Sequence, residues 1–284
     1  MFIMQKSISN HAPSGILIHN YKIKVKGIKK KILYHFSDLH LTEYDSFSDE
    51  REKLEAIHAT HHWENLRLDF AKHHNEPHSK EQQQSTHNHL SDLLAEAEKG
   101  DALIMAGDIC DYINGANVRT VNYALNQLTI PFIYVCGNHE NIEKTPGVEM
   151  ISNIKKPVQT LDLGDIVILG IDNSTHEITA EQNAQLKEAL LLGKPLIIAM
   201  HIPILSEGNK DLEDVEDYFH LNRKAATKEV FAFMDFIKEI ADKIVAVLAG
   251  HLHFMNNSEI APGVTQYVSS QGLLGNINRY EIGI

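Results

Sequence analysis

Seven polar residues of this sequence are of the types that coordinate divalent metal ions, and each follows a short apolar run. They are Asp38, His40, Asp108, Asn138, His201, His251 and His253. Carboxylate, amide and imidazole groups suit hard or borderline cations, and a carboxylate such as that of Asp108 has two oxygens with which to join two ions. Such an ion pair can activate water for hydrolysis if some of its coordination positions stay open. These residue types therefore indicate two-metal hydrolytic chemistry.

Each of these residues has an ordinary structural interpretation when it is taken alone. An Asp after a strand often caps a turn or helix, and a single His near a core is often held there by hydrogen bonds. Their order is harder to explain in that way. The patterns D-x-H, G-D-x-x-D, G-N-H-E, a strand-ending His and G-H-x-H occur in that sequence, beginning at Asp38, Gly107, Gly137, His201 and Gly250. Five ordered patterns after five apolar runs favour one shared site.

Five apolar runs must place these residues, and their length and composition predict strands. They cover residues 31–37, 102–106, 131–135, 196–200 and 244–249. Because each run delivers its polar residue at its far end, we expect the strand ends to meet along one catalytic rim of an α/β protein. Gly107, Gly137 and Gly250 each precede a candidate ligand. A sharp bend or a close backbone approach at these points would require a residue without a side chain.

Helices and further strands are predicted between those runs. The segments predicted as helices are 49–74, 88–99, 117–128, 180–191 and 224–242. Apolar residues alternating with Lys over 21–26 predict a strand with one exposed face, and Gly27 predicts a turn after it. Turn sequences at 162–165 and 261–263 indicate more strands, so we expect the second half to form a sheet of its own.

Through these ordered patterns the chain resembles the calcineurin-like metallophosphoesterases, over residues 38–253. The resemblance implies an α/β (α+β) fold, a four-layer αββα sandwich of two facing mixed β-sheets with the metal site at the strand ends. It also implies how the seven ligands divide between two ions. Asp38, His40 and His253 would hold the first ion, Asn138, His201 and His251 the second, and Asp108 would bridge them.

Two further residues, His139 and Asp111, are implied by the same resemblance to act in catalysis. His139 would protonate the leaving-group oxygen, and the Asp111 carboxylate would orient that imidazole and raise its pKa so that it stays charged near neutral pH. The expected mechanism is in-line attack by a hydroxide that bridges two divalent ions, without a covalent phosphoenzyme. Manganese or iron is the metal we expect, and the ligand types also admit zinc, cobalt or nickel.

The residues beside the patterns narrow the substrate class. In the protein Ser/Thr phosphatase branch of this family, one arginine follows the second pattern and another precedes the asparagine pattern, where this chain has Tyr112 and Cys136. Arginines are suitable partners for a phosphomonoester dianion, so their absence favours a small-molecule phosphodiester over a phosphoprotein. The alternatives are a phosphomonoesterase acting on a small metabolite and a non-catalytic interaction protein on the same scaffold.

Charge and hydropathy exclude other classes of partner. The sequence has 38 acidic and 26 basic residues, a formal charge of −12, and one short basic run at 29–31. We therefore expect no extended nucleic acid partner, which disfavours a nuclease. No apolar stretch approaches the roughly 18 residues of a membrane span, and residues 1–31 lack the apolar core of a secretory signal. Because Cys110 and Cys136 form no disulfide framework, we predict a cytoplasmic protein without a membrane contact.

Length and spacing predict one domain over 1–284 with two added segments. Residues 43–99 contain eight of the 18 histidines, and their irregular spacing favours an exposed helical insertion, with a lid or a weak accessory metal site as alternatives. Residues 205–223 are predicted to border the rim as a lid segment. Five aromatic residues near the patterns could stack on a base or aryl group, but core or rim packing is the preferred interpretation; they are Tyr44, Tyr112, Tyr218, Phe219 and Phe254.

Overall fold

The computed structural model describes residues 5–11, 15–78, 82–140, 151, 154, 156–224 and 226–283, with residues 5–11 described by their backbone. Twelve strands in these residues form two six-stranded mixed sheets. In chain order they are β1 (Gln5–His11), β2 (Leu17–Ile23), β3 (Lys31–Phe36), β4 (Ala102–Ala106), β5 (Phe132–Val135), β6 (Val158–Asp162), β7 (Val167–Ile171), β8 (Leu196–Ala199), β9 (Ile244–Ala249), β10 (Asn256–Ala261), β11 (Val264–Val268) and β12 (Asn276–Ile282). The strand order is β1-β2-β12-β3-β4-β5 in the first sheet and β10-β11-β9-β8-β7-β6 in the second.

Six α-helices connect the strands within the described residues. They are α1 (Glu50–His73), α2 (Thr86–Ala97), α3 (Gly115–Leu125), α4 (Ala180–Leu190), α5 (Lys210–Glu213) and α6 (Lys228–Glu239). Helix α1 begins where the sequence predicts, because the Asp49 side chain accepts from the Glu52 amide and the Glu52 side chain reaches back. Helix α6 is shorter than predicted, because Thr227 caps its first turn and its α-helical hydrogen bonding ends at Glu239.

The two sheets face each other between two layers of helices, which confirms the predicted αββα sandwich. Alternation along β4 shows how the sequence builds these layers. Leu103 and Met105 pack outward with α2 and α3, whereas Ala102 and Ile104 pack inward against the second sheet. On the far side, α4 and α6 cover the outer face of the second sheet with residues such as Leu186 and Phe233.

The N-terminal part of the first sheet differs from the sequence prediction. The strand expected at 21–26 lies instead at Leu17–Ile23, because its whole length pairs in parallel with the C-terminal strand β12. A long-range partner therefore sets its bounds, which no local pattern could show. The turns expected at Gly27, 162–165 and 261–263 are present, each beside a strand of the two sheets.

Candidate metal centre

Five strands deliver the candidate ligands to one rim. Strands β3, β4 and β5 are parallel neighbours in the first sheet, and β8 and β9 are parallel neighbours in the second. Backbone hydrogen bonds connect the loops that follow them. The Asp38 amide donates to the Gly107 carbonyl at 3.0 Å, and the Gly250 amide donates to the His201 carbonyl at 2.9 Å. The loops within each sheet are thus joined by their backbones before any side chain is considered.

All seven sequence-predicted ligands come together at this rim. In the first group, Asp38, His40 and His253 place ligand atoms within 4.8 Å of one another, as Asp108, His201 and His251 do in the second. The His40 and His253 Nε2 atoms are 3.0 Å apart. Asn138 joins the second group, with its Oδ1 atom 3.0 Å from His201 Nε2.

The Asp108 carboxylate lies between the two groups. Its Oδ2 atom is 3.2 Å from His201 Nε2 and 3.8 Å from His40 Nε2. Its Oδ1 atom accepts a hydrogen bond of 2.9 Å from the His139 amide. The oxygen that faces both groups is therefore one atom, while the other oxygen fixes the turn that carries Asn138 and His139.

Most of the candidate ligands have an unusual backbone conformation. Five of the seven non-glycine residues with positive φ among the described residues are candidate ligands, namely Asp38, His40, Asp108, His251 and His253. Such a conformation costs about 1–3 kcal/mol at each residue and persists where the surrounding structure enforces it. Its concentration at this rim is typical of a functional site rather than of a packing feature.

Two glycines next to the ligands allow this crowding. At Gly107, φ is +85°, and an added Cβ would lie 2.6 Å from the Gly137 amide nitrogen and from His201 Nδ1. At Gly250, an added Cβ would meet the Ser37 side chain and lie 2.8 Å from Asp38 Oδ2. Gly107 requires glycine both for its positive φ and for its close neighbours, whereas Gly250 requires it for the close approach of the two sheets alone.

Three of the four imidazoles are oriented by a hydrogen bond on the side away from the ligand group, whereas the buried Nδ1 atom of His253 has no hydrogen-bond partner among the described residues. His201 Nδ1 donates to the Ala106 carbonyl at 2.7 Å, and His40 Nδ1 donates to Asp111 Oδ1 at 3.0 Å. The His251 ring bonds to the Tyr218 backbone, and its buried Nε2 has no hydrogen-bond partner among the described residues. Buried polar atoms are rarely left without a partner, so this nitrogen fits a metal ligand. The oxygen and imidazole donors suit divalent cations.

The electrostatics of the site reflect its buried charges. Burial raises the pKa of Asp38, opposed by the His201 charge, and the neighbouring Asp108 raises it further. Burial also opposes ionisation of Asp108, but His201, His139 and His40 hold its pKa well below the usual value. Burial would lower the pKa of His201, yet Asp108 and Asp38 raise it to about 9. Two carboxylates that are buried in one site therefore need positive charge nearby if both are to be ionised.

Asp111 holds two imidazoles. His139 Nδ1 lies 2.7 Å from the Asp111 carbonyl and 3.1 Å from its Oδ1 atom, the same oxygen that accepts from His40. Burial would lower the pKa of His139, but the hydrogen bond to Asp111 and the charges of Asp108 and Asp111 raise it to about 10. Asp111 thereby connects the candidate proton donor to a candidate ligand, a link that the sequence prediction did not include.

The sequence analysis missed the contribution of α1 to this site. Trp63 lies over the first group, with its ring centroid 4.0 Å from that of His40 and 5.3 Å from that of His253. Phe70 lies 5.2 Å from the His253 ring. Trp63, Arg67 and Phe70 are spaced as neighbours on one helix face, and Trp63 is the single tryptophan of the chain. From that spacing in the sequence one could have predicted that this face of the helix packs against the rim.

A cleft of about 300 Å³ opens above the ligands. Its lining includes Trp63, Leu66, Phe70, Asp108, Asn138, His139, Tyr218, Phe219, His251, Leu252 and His253. Lys and Arg do not occur among these residues. Elsewhere, no helix of the described part of the chain combines the length and apolar character needed to cross a bilayer.

Comparisons with known proteins agree with this site. The profile of the calcineurin-like phosphoesterases matches residues 32–260, more than half of the chain. This chain belongs to the calcineurin-like phosphoesterase family, and so is a metal-dependent hydrolase of phosphate esters that binds a pair of divalent ions. A search of curated proteins finds no match.

Several solved structures are similar to this chain at low sequence identity. A dimetal phosphatase from Danio rerio is 11% identical, with a TM-score of 0.56 over 86% of this chain and 88% of that one. A protein of Thermus thermophilus is 12% identical, with a TM-score of 0.47 over 86% of this chain and 91% of that one. A 5′-nucleotidase from Candida albicans is 11% identical, with a TM-score of 0.42 over 85% of this chain and 45% of that one. At 11% identity, the similarity to the Danio rerio dimetal phosphatase shows the fold alone.

Proposed function

We propose that this enzyme hydrolyses a small-molecule phosphodiester at two divalent ions held by the seven candidate ligands. The observation that supports two ions most directly is the position of Asp108 Oδ2 between the two ligand groups, 3.2 Å from His201 Nε2 and 3.8 Å from His40 Nε2. In this proposal Asp38, His40 and His253 bind one ion, Asn138, His201 and His251 bind the other, and Asp108 bridges them. Manganese or iron is the proposed metal.

The preference for a diester rests on the charge of the cleft. A phosphodiester carries one negative charge and a phosphomonoester carries up to two near neutral pH. A monoester dianion is usually held by Arg or Lys, and the described residues that line the cleft include neither. Tyr112 and Cys136, which replace the two arginines of the protein phosphatase branch, are half-buried and buried. These features support a substrate with a single charge.

The side chains at the site have different roles in the proposed reaction. When bound, the ions supply positive charge and lower the pKa of water so that hydroxide can attack phosphorus. Asp108 and Asp38 balance that charge inside a buried site. His139 is held by Asp111 through Nδ1, which leaves its Nε2 proton for the oxygen of the leaving group. The strained strand ends fix this geometry in advance, so little reorganisation is needed during the reaction.

Hydrolysis of bis-p-nitrophenyl phosphate and p-nitrophenyl phosphate by protein reconstituted with Mn²⁺ or Fe²⁺ tests the proposal. We expect metal-dependent turnover with a higher kcat/KM for the diester, and loss of turnover in Asp108→Asn. Hydrolysis of a diester with chiral phosphorus in oxygen-18 water should invert its configuration. Retention would contradict direct attack by water, and faster hydrolysis of the monoester would replace the diesterase proposal with a phosphomonoesterase.

The proposal also includes catalysis itself, the location of the protein and the absence of an extended nucleic acid partner. If metal-loaded protein hydrolyses neither ester, the non-catalytic interaction protein becomes the better explanation. A cytoplasmic location is supported by the two cysteines, Cys110 and Cys136, which are both buried and unpaired. The charge of −12 supports the absence of an extended nucleic acid partner, and salt-dependent binding of DNA or RNA at physiological salt would contradict it.

A further inference from the structure

Two aromatic rings stand exposed beside the second ligand group. Phe219 lies 5.5 Å from the His251 ring and Tyr218 lies 5.9 Å from it. Their exposed fractions are 36% and 54%, whereas Phe254, which directly follows the candidate ligand His253, is 4% exposed. The prediction that these aromatics serve packing therefore fits Phe254 and does not account for Tyr218 and Phe219, whose rings remain open to the cleft.

The segment that carries these two rings is held in place. The Tyr218 carbonyl accepts from His176 Nε2 at 2.6 Å, and the Tyr218 ring lies 4.4 Å from the His176 ring. On the other side, the Asn222 side chain donates to the Asp217 carbonyl at 3.0 Å. An aromatic ring that is fixed before binding loses little conformational entropy when a ligand stacks on it. These contacts hold the backbone of Tyr218 and Phe219 in place, so the two rings are preorganised for stacking.

Apolar side chains also line the part of the cleft formed by α1. Leu66 and Phe70 line the same cleft of about 300 Å³ as Tyr218 and Phe219. Leu66 and Phe70 are partly exposed, and Phe70 packs against His253 of the first ligand group. A cleft with apolar and aromatic walls on two elements suits a flat ring better than a charged or strongly hydrated group.

The position of His139 indicates which ester group would reach these rings. The His139 ring packs against His40 of the first group at 4.6 Å, whereas Tyr218 and Phe219 pack against His251 of the second group. In-line displacement sends the leaving group towards its proton donor, His139. The ester group that stays on phosphorus is equatorial in this displacement and points away from His139, so it is the group that can reach the aromatic pair beside the second ligand group.

We infer that Tyr218 and Phe219 form a subsite that stacks on a planar aromatic ring, aryl or nucleobase, of the ester group retained on phosphorus. This inference rests on the proposed phosphodiesterase function and adds the substrate class to it. Stacking of one ring on an aromatic side chain changes affinity by about 1–3 kcal/mol on alanine substitution, which corresponds to roughly 5- to 150-fold. Selectivity for an aromatic retained group should therefore be measurable.

Three diesters with the same p-nitrophenolate leaving group test the subsite. Their retained groups are ethyl, phenyl and thymidine, so the leaving group is constant, and comparison with the alanine variants cancels the effect of the retained group on the intrinsic reactivity of phosphorus. We expect kcat/KM for the phenyl and thymidine esters to exceed that for the ethyl ester by roughly 10-fold, and Phe219→Ala and Tyr218→Ala to remove most of that ratio. Tyr218→Phe should keep it. Tyr123→Ala, which removes an exposed aromatic ring from α3, is the matched control and should leave the ratio unchanged.

The outcomes separate the subsite from the proposed function. If the ethyl ester is hydrolysed as fast as the aromatic esters, or if the alanine variants slow all three equally, the subsite is wrong while the diesterase stands. A larger ratio for thymidine than for phenyl indicates a nucleobase, and the reverse indicates an aryl group. Should no diester turn over, calorimetric binding of phenylphosphonate, thymidine 5′-phosphate and ethylphosphonate to metal-loaded protein decides, because equal affinities would overturn the subsite independently of catalysis.

Discussion

Two regions of this molecule are rich in histidine, and they use it in opposite ways. At the rim, His40, His201, His251 and His253 are all buried, and three of the four have positive φ. In the 43–99 segment, six of the eight histidines are exposed, and the exceptions are His74 and His89. Within the part of the chain that the structure describes, the groups of candidate ligands all lie at the rim.

The difference shows what a ligand set requires beyond residue type. A helix such as α1 places His58, His61 and His62 on its surface, where each side chain is exposed to solvent. The rim fixes its imidazoles through strained strand ends and through hydrogen bonds such as that from His201 Nδ1 to the Ala106 carbonyl. Carboxylates from the first sheet then meet imidazoles from the second. The centre forms because the ends of the two sheets bring these side chains together, and a large number of histidines in one segment does not produce it.

The 43–99 segment nevertheless contributes to the rim through an aromatic residue. Trp63 covers His40 and His253, and the Arg67 guanidinium behind it donates to the Leu273 carbonyl at 3.2 Å. Helix α1 is thereby attached to the loop before β12. The 43–99 segment thus contacts the centre through the packing of Trp63, and not through the histidines that distinguish its sequence.

Apart from the candidate ligands themselves, the largest effect that we expect at the rim comes from the proton donor. His139→Ala should lower kcat by about 10²–10⁴-fold on a phosphodiester with a phenolate leaving group. The loss should be much smaller with p-nitrophenolate, which needs less protonation, while the bound metal content stays at two ions per chain. Steady-state kinetics on the two leaving groups measure this. An equal loss on both would contradict the role of proton donor.

Asp111→Asn separates the two imidazoles that share this carboxylate. Because Asp111 holds both His40 and His139, we expect a loss of kcat approaching that of His139→Ala together with weaker metal binding, roughly 10- to 100-fold. Metal titration beside the kinetics gives both values. Unchanged turnover would mean that Asp111 only caps its loop.

Trp63→Ala tests the link between the two histidine-rich regions. Removing this ring leaves a cavity beside His40 and His253, so we expect a loss of about 3–5 kcal/mol in the free energy of unfolding and weaker metal binding. Trp63→Phe should recover much of both. Leu54→Ala, at a 67% exposed position of α1, is the control. Metal affinity equal to wild type in Trp63→Ala would show that the insertion does not support the centre.

His89 provides a smaller effect, on the pH dependence of stability. Burial lowers its pKa to about 4, against the hydrogen bond to the Gln82 carbonyl, so below its unfolded value of about 6.5 the unfolded chain takes up a proton that the folded chain does not. Its contribution to stability is complete above pH 6.5 and is lost as the pH falls towards 4. His89→Gln should remove about 1.4 kcal/mol per pH unit from that slope. Urea unfolding at pH 7, 5.5 and 4.5 measures it, and an unchanged slope would contradict the buried neutral state.

The smallest effect is expected from the exposed histidines. Replacing His58, His61 and His73 by Gln should change neither turnover nor the number of bound ions, because these side chains are exposed. Metal content after dialysis checks this. A stoichiometry that falls in the triple variant would establish the accessory metal site in the insertion.

The sequence by itself determined the candidate residues of the centre and much of the fold around it. Apolar runs fixed β3, β4, β5, β8 and β9 as buried strands, and the order of Asp, Asn and His residues after them identified the seven candidate ligands. These are local properties, since a buried strand needs a continuous apolar run and a ligand needs a particular functional group. The four-layer sandwich was predicted through the family resemblance, and strand β4, which is apolar on both faces, agrees with it because each face needs an apolar layer.

Only the tertiary structure decided which side chains surround that centre. The bounds of β2 depend on its pairing with β12, and the approach of Gly250 to Ser37 depends on the docking of two sheets. Trp63 reaches His40 from a separate helix, and Tyr218 and Phe219 stay exposed while Phe254 is buried. An aromatic residue carries the same local signal in a core, at a rim or in a cleft, because its environment is set by elements distant in the chain.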